Sequence, residues 1–439
     1  MRSLYIDERA GGRPEAPATL SRAATVHHGL APFSPWLADP EVTEVCVNRP
    51  GEAFLFRSGA WLRVEAPALT PERLMNLANA AAVYAGLPFG PECPILSAAL
   101  PEGERAQFVR PPAVPEGRLS LTIRKPATEV RTLADYAAAG FFEGGGEEKR
   151  ARDAKLLSLY GSFAIGTKGE TRSGTEAASA KAAFLAAAVA SGKNIVIAGE
   201  TGSGKTTFMK ALMQAIPATE RILTIEDVPE LLYGLPNHQN QVNLFYPSEA
   251  RDGDPVTASV LLRSALRMKP DRILIAELRG GETFDFLSAC LTGHGGSITS
   301  CHAGSCREAL AYLALKTLQS SAGSRLPAPA IEALIASAVD IVVHVTAAGG
   351  RRRAAGLLWV TAPGSQEKSK ARGARESQGS HPAPRKPGAA AAPGLKHESA
   401  DNTPDCGLDD GAEPAPEGER EAPAHPREGL PTGRIRDSP

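Results

Sequence analysis

Much that could have announced a function is missing from this chain of 439 residues. No apolar run reaches the roughly eighteen residues that a membrane-crossing helix needs, so no span is expected, though peripheral attachment stays open. No signal peptide is read at the start, because charges run through residues 1–30 without an apolar core segment. Neither sign of charge dominates. With 48 Lys and Arg against 49 Asp and Glu, the net charge is −1, without the basic excess or the aromatic-basic strip of a nucleic-acid binder. Six cysteines (Cys46, Cys93, Cys290, Cys301, Cys306, Cys406) are scattered without a Cys-x-x-Cys pair, which argues against a disulfide framework and for a reducing compartment. Internal repeats are absent. Residues 363–439 lack Val and every aromatic and are rich in Pro, Gly, Ala and charge. Such a tail cannot bury enough apolar area to offset chain entropy. It is expected to be disordered, or to fold only on a partner.

The rest has ordinary globular composition, 42% hydrophobic, with room for two or three domains. Residues 1–19 are expected to fray. Residues 20–142 read as an α+β domain with a mostly antiparallel sheet. Its strands are Glu44–Asn48, Ala53–Arg57, Trp61–Glu65, Ala106–Arg110 and Leu119–Arg124, with Ser58-Gly59 as one hairpin turn. Thr70-Pro71-Glu72 starts a helix whose apolar face is Leu74, Leu77, Ala78 and Ala81. Residues 143–175, with Gly144-Gly145-Gly146 and a charged patch, read as an interdomain linker holding one short helix. Residues 176–362 alternate helical and strand patterns, the signature of an α/β domain with a parallel sheet.

One stretch in the second domain carries the chemistry. The apolar run Asn194–Ala198 leads into Gly199-Glu200-Thr201-Gly202-Ser203-Gly204-Lys205-Thr206-Thr207, and a helical pattern follows. This is G-x-x-x-x-G-K-[ST] in its strand–loop–helix context. Glycines let the backbone wrap a phosphate with its N–H groups inward, and the helix start adds its positive dipole end. Lys205 reaches the β- and γ-phosphates, and the Thr206 hydroxyl is suited to Mg²⁺. The implied ligand is a nucleotide with Mg²⁺, and the loop alone suits a kinase, a transporter or a helicase equally.

Hydrolysis also needs acids. Glu226 and Glu277 each end an apolar strand, Ile222–Ile225 and Ile273–Ala276. Strand carboxyl ends of a doubly wound sheet face one crevice, so both are expected near the γ-phosphate, unless one merely caps the next helix. Either acid fits activation of water, and Glu277 also fits Mg²⁺. His302, at a third strand end, is expected to sense the γ-phosphate. Cys301 beside it faces the other way on a strand, so the pair does not suit zinc. Arg263, Arg267, Lys269, Arg272 and Arg279 read equally as a solvated face or as cations that cancel phosphoryl charge.

Four blocks in this order resemble the type II/IV secretion NTPase superfamily: Gly199–Thr206 as Walker A, RILTIEDVPEL from Arg221 as Asp box, DRILIAELRG from Asp271 as Walker B, and GHGGSITSCHAG from Gly293 as His box. With EVTEVCVNRPGEAFLF from Glu41 and LSLTIRKP from Leu119, the chain is most similar to the hexameric traffic ATPases of type IV secretion systems. The resemblance implies a RecA-like ATPase domain behind an amino-terminal domain, in a homo-hexamer. It also implies cytoplasmic placement at the inner membrane, beside membrane components and other ATPases of the channel. The cargo would be a DNA–protein complex or a protein. It makes Glu226 the Asp-box acid, Glu277 the Walker B acid and His302 the His-box histidine. Arg124 is its first match, and Arg110 its second, for amino-terminal arginines that reach the phosphates. Two rival readings are a nucleic-acid-stimulated motor and a nucleotide-gated scaffold without useful turnover.

Overall fold

A computed structural model describes residues 22–360, apart from 128–129, 144–145, 165–173 and 252. Both segments read as frayed or disordered, 1–19 and 363–439, lie outside these. All described residues fall in one compact unit.

Proline breaks the first helical stretch into α1 (Arg22–Leu30) and α2 (Ser34–Ala38). Then come β1 (Val42–Val47), β2 (Gly51–Arg57) and β3 (Ala60–Ala66). The β2–β3 turn uses Ser58 and Gly59, both at positive φ (49° and 83°), the conformation that follows the twist of a tight hairpin. In α3 (Pro71–Ala85) the Thr70 side chain accepts from the Arg73 N–H at 3.3 Å, and left-handed Gly86 closes the helix. Its buried face is the expected one. β4 (Ile95–Ala99), which has no counterpart in the sequence reading, is followed by β5 (Arg105–Val109) and β6 (Ser120–Arg124). The sheet order is β3-β2-β1-β6-β5-β4, antiparallel throughout.

After α4 (Leu133–Ala138) the supposed linker proves more structured than its composition implied. It carries α5 (Gly146–Ala164), 19 residues long, where one short helix was expected. The first half of α5 is dominated by charge, while Leu156, Leu159 and Tyr160 in its second half form an apolar turn. They pack with Phe184 of α6 (Gly174–Ala190) and with Trp359 into the second core. That one turn of stripe is too little for the pattern to stand out in sequence.

The second sheet is built from β7 (Ile195–Ala198), α7 (Lys205–Met213), β8 (Ile222–Glu226), β9 (Gln241–Phe245), α8 (Ala258–Ala265), β10 (Arg272–Ile275), α9 (Glu282–Leu291), β11 (Ile298–Cys301), α10 (Cys306–Thr317), α11 (Ala328–Ala338), β12 (Ile341–Ala348) and β13 (Arg351–Trp359). The order is β13-β12-β7-β11-β10-β8-β9, parallel except for the β12–β13 hairpin. Helices cover both faces, as a buried parallel sheet requires. The β12–β13 hairpin carries left-handed Gly349 and Gly350 at its tip.

The two sheets meet at the amino-terminal ends of β8 and β10. Arg221, fully buried, donates through Nη1 to Asn48 Oδ1 and Asn240 Oδ1 at 2.7 Å each, and through Nε to the Met268 carbonyl at 2.9 Å. Asp271 accepts from the Arg221 N–H and, at 2.8 Å, from Trp61 Nε1. This contact lies at the end of the parallel sheet opposite the phosphate loop.

Candidate active site

The phosphate loop leaves the end of β7 between β11 and β12. Gly202 and Gly204 adopt left-handed φ of 77° and 95°, which only glycine takes without strain. Gly199 is fixed by space: a Cβ there would lie 2.5 Å from the Val345 carbonyl oxygen of β12. Eleven residues from Glu200 to Glu230, with Ala276, Glu277, Arg279, Ser300, His302 and Arg352, line a cavity of about 760 Å³. Among them are Thr201, Lys205, Thr206, Thr207 and Lys210.

Lys205 is buried. Its ammonium donates to the Gly199 carbonyl at 3.1 Å and the Glu200 carbonyl at 3.3 Å, and lies 3.5 Å from His302 Nδ1 and 3.8 Å from Glu277 Oε1. Glu277 is held from two sides. His302 Nε2 stands 2.7 Å from its Oε1, and Arg279 Nε donates to its Oε2 at 2.8 Å. Arg279 also pairs with Asp227 at 2.5 Å. Lys205, Glu277 and His302, expected together, are together. Gly199 and Ser203 shape the loop from beneath, packed against each other and Val345.

Glu226 is placed differently from the expectation. It is fully buried, its Oε2 accepts from the Leu231 N–H, its Oε1 has no hydrogen-bond partner, and it does not line the cavity. Burial pushes its carboxyl up from 4.5 to about 7, against the lowering effect of the backbone N–H groups of Leu231, Glu230 and Leu232. Side chains alternate along a strand, so as Glu226 turns into the core its neighbour Asp227 reaches the cavity. The sequence signal for Asp227 is its place in the same Glu-Asp pair at the strand end. Arg279, one of five basic candidates, is the one whose guanidinium joins the acids. Arg272 is instead buried in an ion pair with Glu220.

Arg124 and Arg110 are not brought to the loop. Arg124 lies beside Glu44, at 3.7 Å, in a separate cavity with Arg105, Lys269 and His294. Lys269 and His294 precede β10 and β11, so this cavity faces the opposite end of the parallel sheet. Arg110 packs over the Phe89 ring, 5.7 Å from its centroid. Cys301, buried behind the cavity, has its thiol pushed up to about 12 by burial, which leaves it inert beside the exposed ring of His302.

The donor set fits Mg²⁺ brought with a nucleotide better than a resident ion. Glu277 offers a carboxylate beside the loop, and Thr206 offers a hydroxyl. Among the described residues no cluster of three His, Cys, Asp or Glu surrounds a common point. A hydrated Mg²⁺ bound mostly by phosphate needs no more than this.

A phosphate loop on a parallel sheet, with a Glu–His–Arg group on the adjoining strand ends, defines a RecA-like NTPase. Residues 171–377 match the family described as type II/IV secretion system protein. The chain is 52% identical over 331 residues to the type IV secretion system protein VirB11 of Brucella abortus, which covers 75% of this chain and 87% of that one. It is 44% identical over 347 residues to the PtlH homolog of Bordetella bronchiseptica, 78% and 97% covered. A solved structure, the VirB11 ATPase of the Brucella suis type IV secretion system in complex with sulphate, superposes with TM-score 0.69 at 48% identity, covering 77% of this chain and 96% of that one. The chain belongs to the type II/IV secretion NTPase superfamily, in its type IV traffic ATPase branch. Among the described residues no helix is long and apolar enough to cross a membrane.

Proposed function

We propose that the chain hydrolyses Mg-ATP in a ring of six copies and so energises substrate movement and pilus assembly by a type IV secretion channel, peripherally at the inner membrane. The observation that carries this reading is the position of Glu277. Its carboxylate sits at the phosphate loop, 3.8 Å from the Lys205 ammonium and between His302 and Arg279. Lys205 holds the β- and γ-phosphates, with the loop N–H groups and the start of α7 around them. Glu277 orients the attacking water and takes its proton. His302 contacts the γ-phosphate side, and Arg279 moves between the acids and the departing phosphate as charge shifts. Mg²⁺, when bound, neutralises phosphate charge near Thr206 and Glu277.

Within one chain Arg124 faces the far end of the parallel sheet from the loop, beside Glu44. In a ring, the arginine reaching a given phosphate comes from another copy. Phosphate release by wild type, Lys205→Ala and Glu277→Gln tests the central claim. Wild type is expected to turn over. Glu277→Gln should bind ATP but lose about two to three orders of magnitude in rate. Wild-type turnover no faster than Lys205→Ala would sink the enzyme reading.

A further inference from the structure

The β12–β13 hairpin does more than close the sheet. β12 runs in register with β7 as far as His344 opposite Ala198, then continues four residues to Ala348. The first of them, Val345, packs against Gly199 of the phosphate loop, and β13 pairs back along the extension. Arg351-Arg352-Arg353 therefore stand just past the hairpin tip, paired with Ala348, Ala347 and Thr346. On a strand the three must alternate sides. Only Arg352 of the three lines the phosphate-loop cavity. Its Cδ, Nε and Cζ lie 2.9, 3.3 and 3.7 Å from the point where a Cβ on Gly204 would sit. The guanidinium thus crosses directly over the residue that caps α7. Among the described residues it makes no ion pair with a carboxylate.

We infer that Arg352 is a nucleotide-positioning residue, a second cation that grips the phosphate chain from the side of the loop away from the acids. This rests on the nucleotide reading of the loop. The sheet order supplies the direction: Glu277 and His302 come from β10 and β11 on one flank of β7, and Arg352 from the hairpin on the other. A phosphate chain lying on the loop with its γ end at Glu277 presents its α- and β-phosphates toward Arg352. A guanidinium binds such oxygens through paired N–H donors, which a lysine ammonium cannot reproduce. Because ATP and ADP share those phosphates, Arg352 holds both equally and adds affinity rather than rate. It also explains why residue 204 has no side chain, beyond its left-handed backbone. Any Cβ there would displace the Arg352 stem.

The test uses the full chain with Mg²⁺ and calorimetric titration of ADP and of a non-hydrolysable β,γ-imido ATP analogue, with steady-state kinetics alongside. Arg352→Ala is expected to weaken both nucleotides about tenfold and raise KM similarly, with kcat within about twofold of wild type. Arg352→Lys, which keeps the stem and charge, should recover part of the affinity. Arg351→Ala and Arg353→Ala should leave it unchanged. Equal affinities for wild type and Arg352→Ala would overturn the inference, as would loss confined to the ATP analogue or equal loss in all three arginine variants. If wild type binds neither nucleotide more tightly than Lys205→Ala, the nucleotide reading itself falls and the inference with it.

Discussion

Replacing Glu226 by Gln separates the two acids that the sequence presents as equals. The carboxyl is fully buried, and its folded-state value is pushed up from 4.5 to about 7, so folding favours the protonated form. Between 4.5 and about 7 the unfolded chain has lost this proton while the folded chain keeps it. Stability therefore falls as pH rises through that window and levels off above it. At about 1.4 kcal/mol per pH unit the full interval amounts to roughly 3 kcal/mol, and the part between pH 6 and 8 to roughly 1.3 kcal/mol. Gln keeps the shape and still accepts from the Leu231 N–H, but cannot ionise. The assay is denaturant unfolding of wild type and Glu226→Gln at pH 6 and 8. The variant should gain on wild type by about 1 kcal/mol between the two, while its ATPase rate at pH 7 stays within a few-fold. An identical pH dependence in both proteins would refute the burial argument. A collapse of hydrolysis as deep as that of Glu277→Gln would refute the placement of Glu226 outside the chemistry.

Two other substitutions probe the contact between the sheets and the ring. Arg221→Met keeps the bulk of the side chain but leaves the Asn48 Oδ1 and Met268 carbonyl buried without their donor. It should cost about 2–4 kcal/mol in denaturant unfolding and leave the ADP dissociation constant unchanged, because Arg221 sits at the far end of the sheet from the loop. Arg124→Ala should lower ATPase activity, and mixing it with inactive Lys205→Ala should restore part of the loss, since the second variant supplies Arg124 to intact loops. Activity that merely averages on mixing, after proven subunit exchange, would place Arg124 outside any phosphate contact.

The sequence was most informative where chemistry demands a fixed local pattern. Gly199–Thr206 needs glycines at set positions, and the backbone at Gly202 and Gly204 shows why. The Thr70 cap and the Ser58-Gly59 turn are equally local, each satisfied by residues within three or four positions. Legibility fell where the signal was spread thinly. α5 shows one apolar turn in 19 residues. β4 and β9 are edge strands, each paired with one neighbour, so their identity depends on that neighbour rather than on a local pattern.

Residue types and spacing by themselves determined a phosphate loop, a strand-borne acid in Glu277 and a histidine in His302, because these belong to strand ends that any parallel sheet brings to one edge. Only the tertiary structure decided which way each side chain turns there. Glu226 went into the core and Asp227 to the cavity, since adjacent residues on a strand face opposite sides. It also decided that Arg124 stands at the other end of the sheet and that Arg352, far from the loop in sequence, lies across it. Those placements depend on how the two sheets dock and how far the hairpin extends, which are long-range packing outcomes that no local pattern encodes.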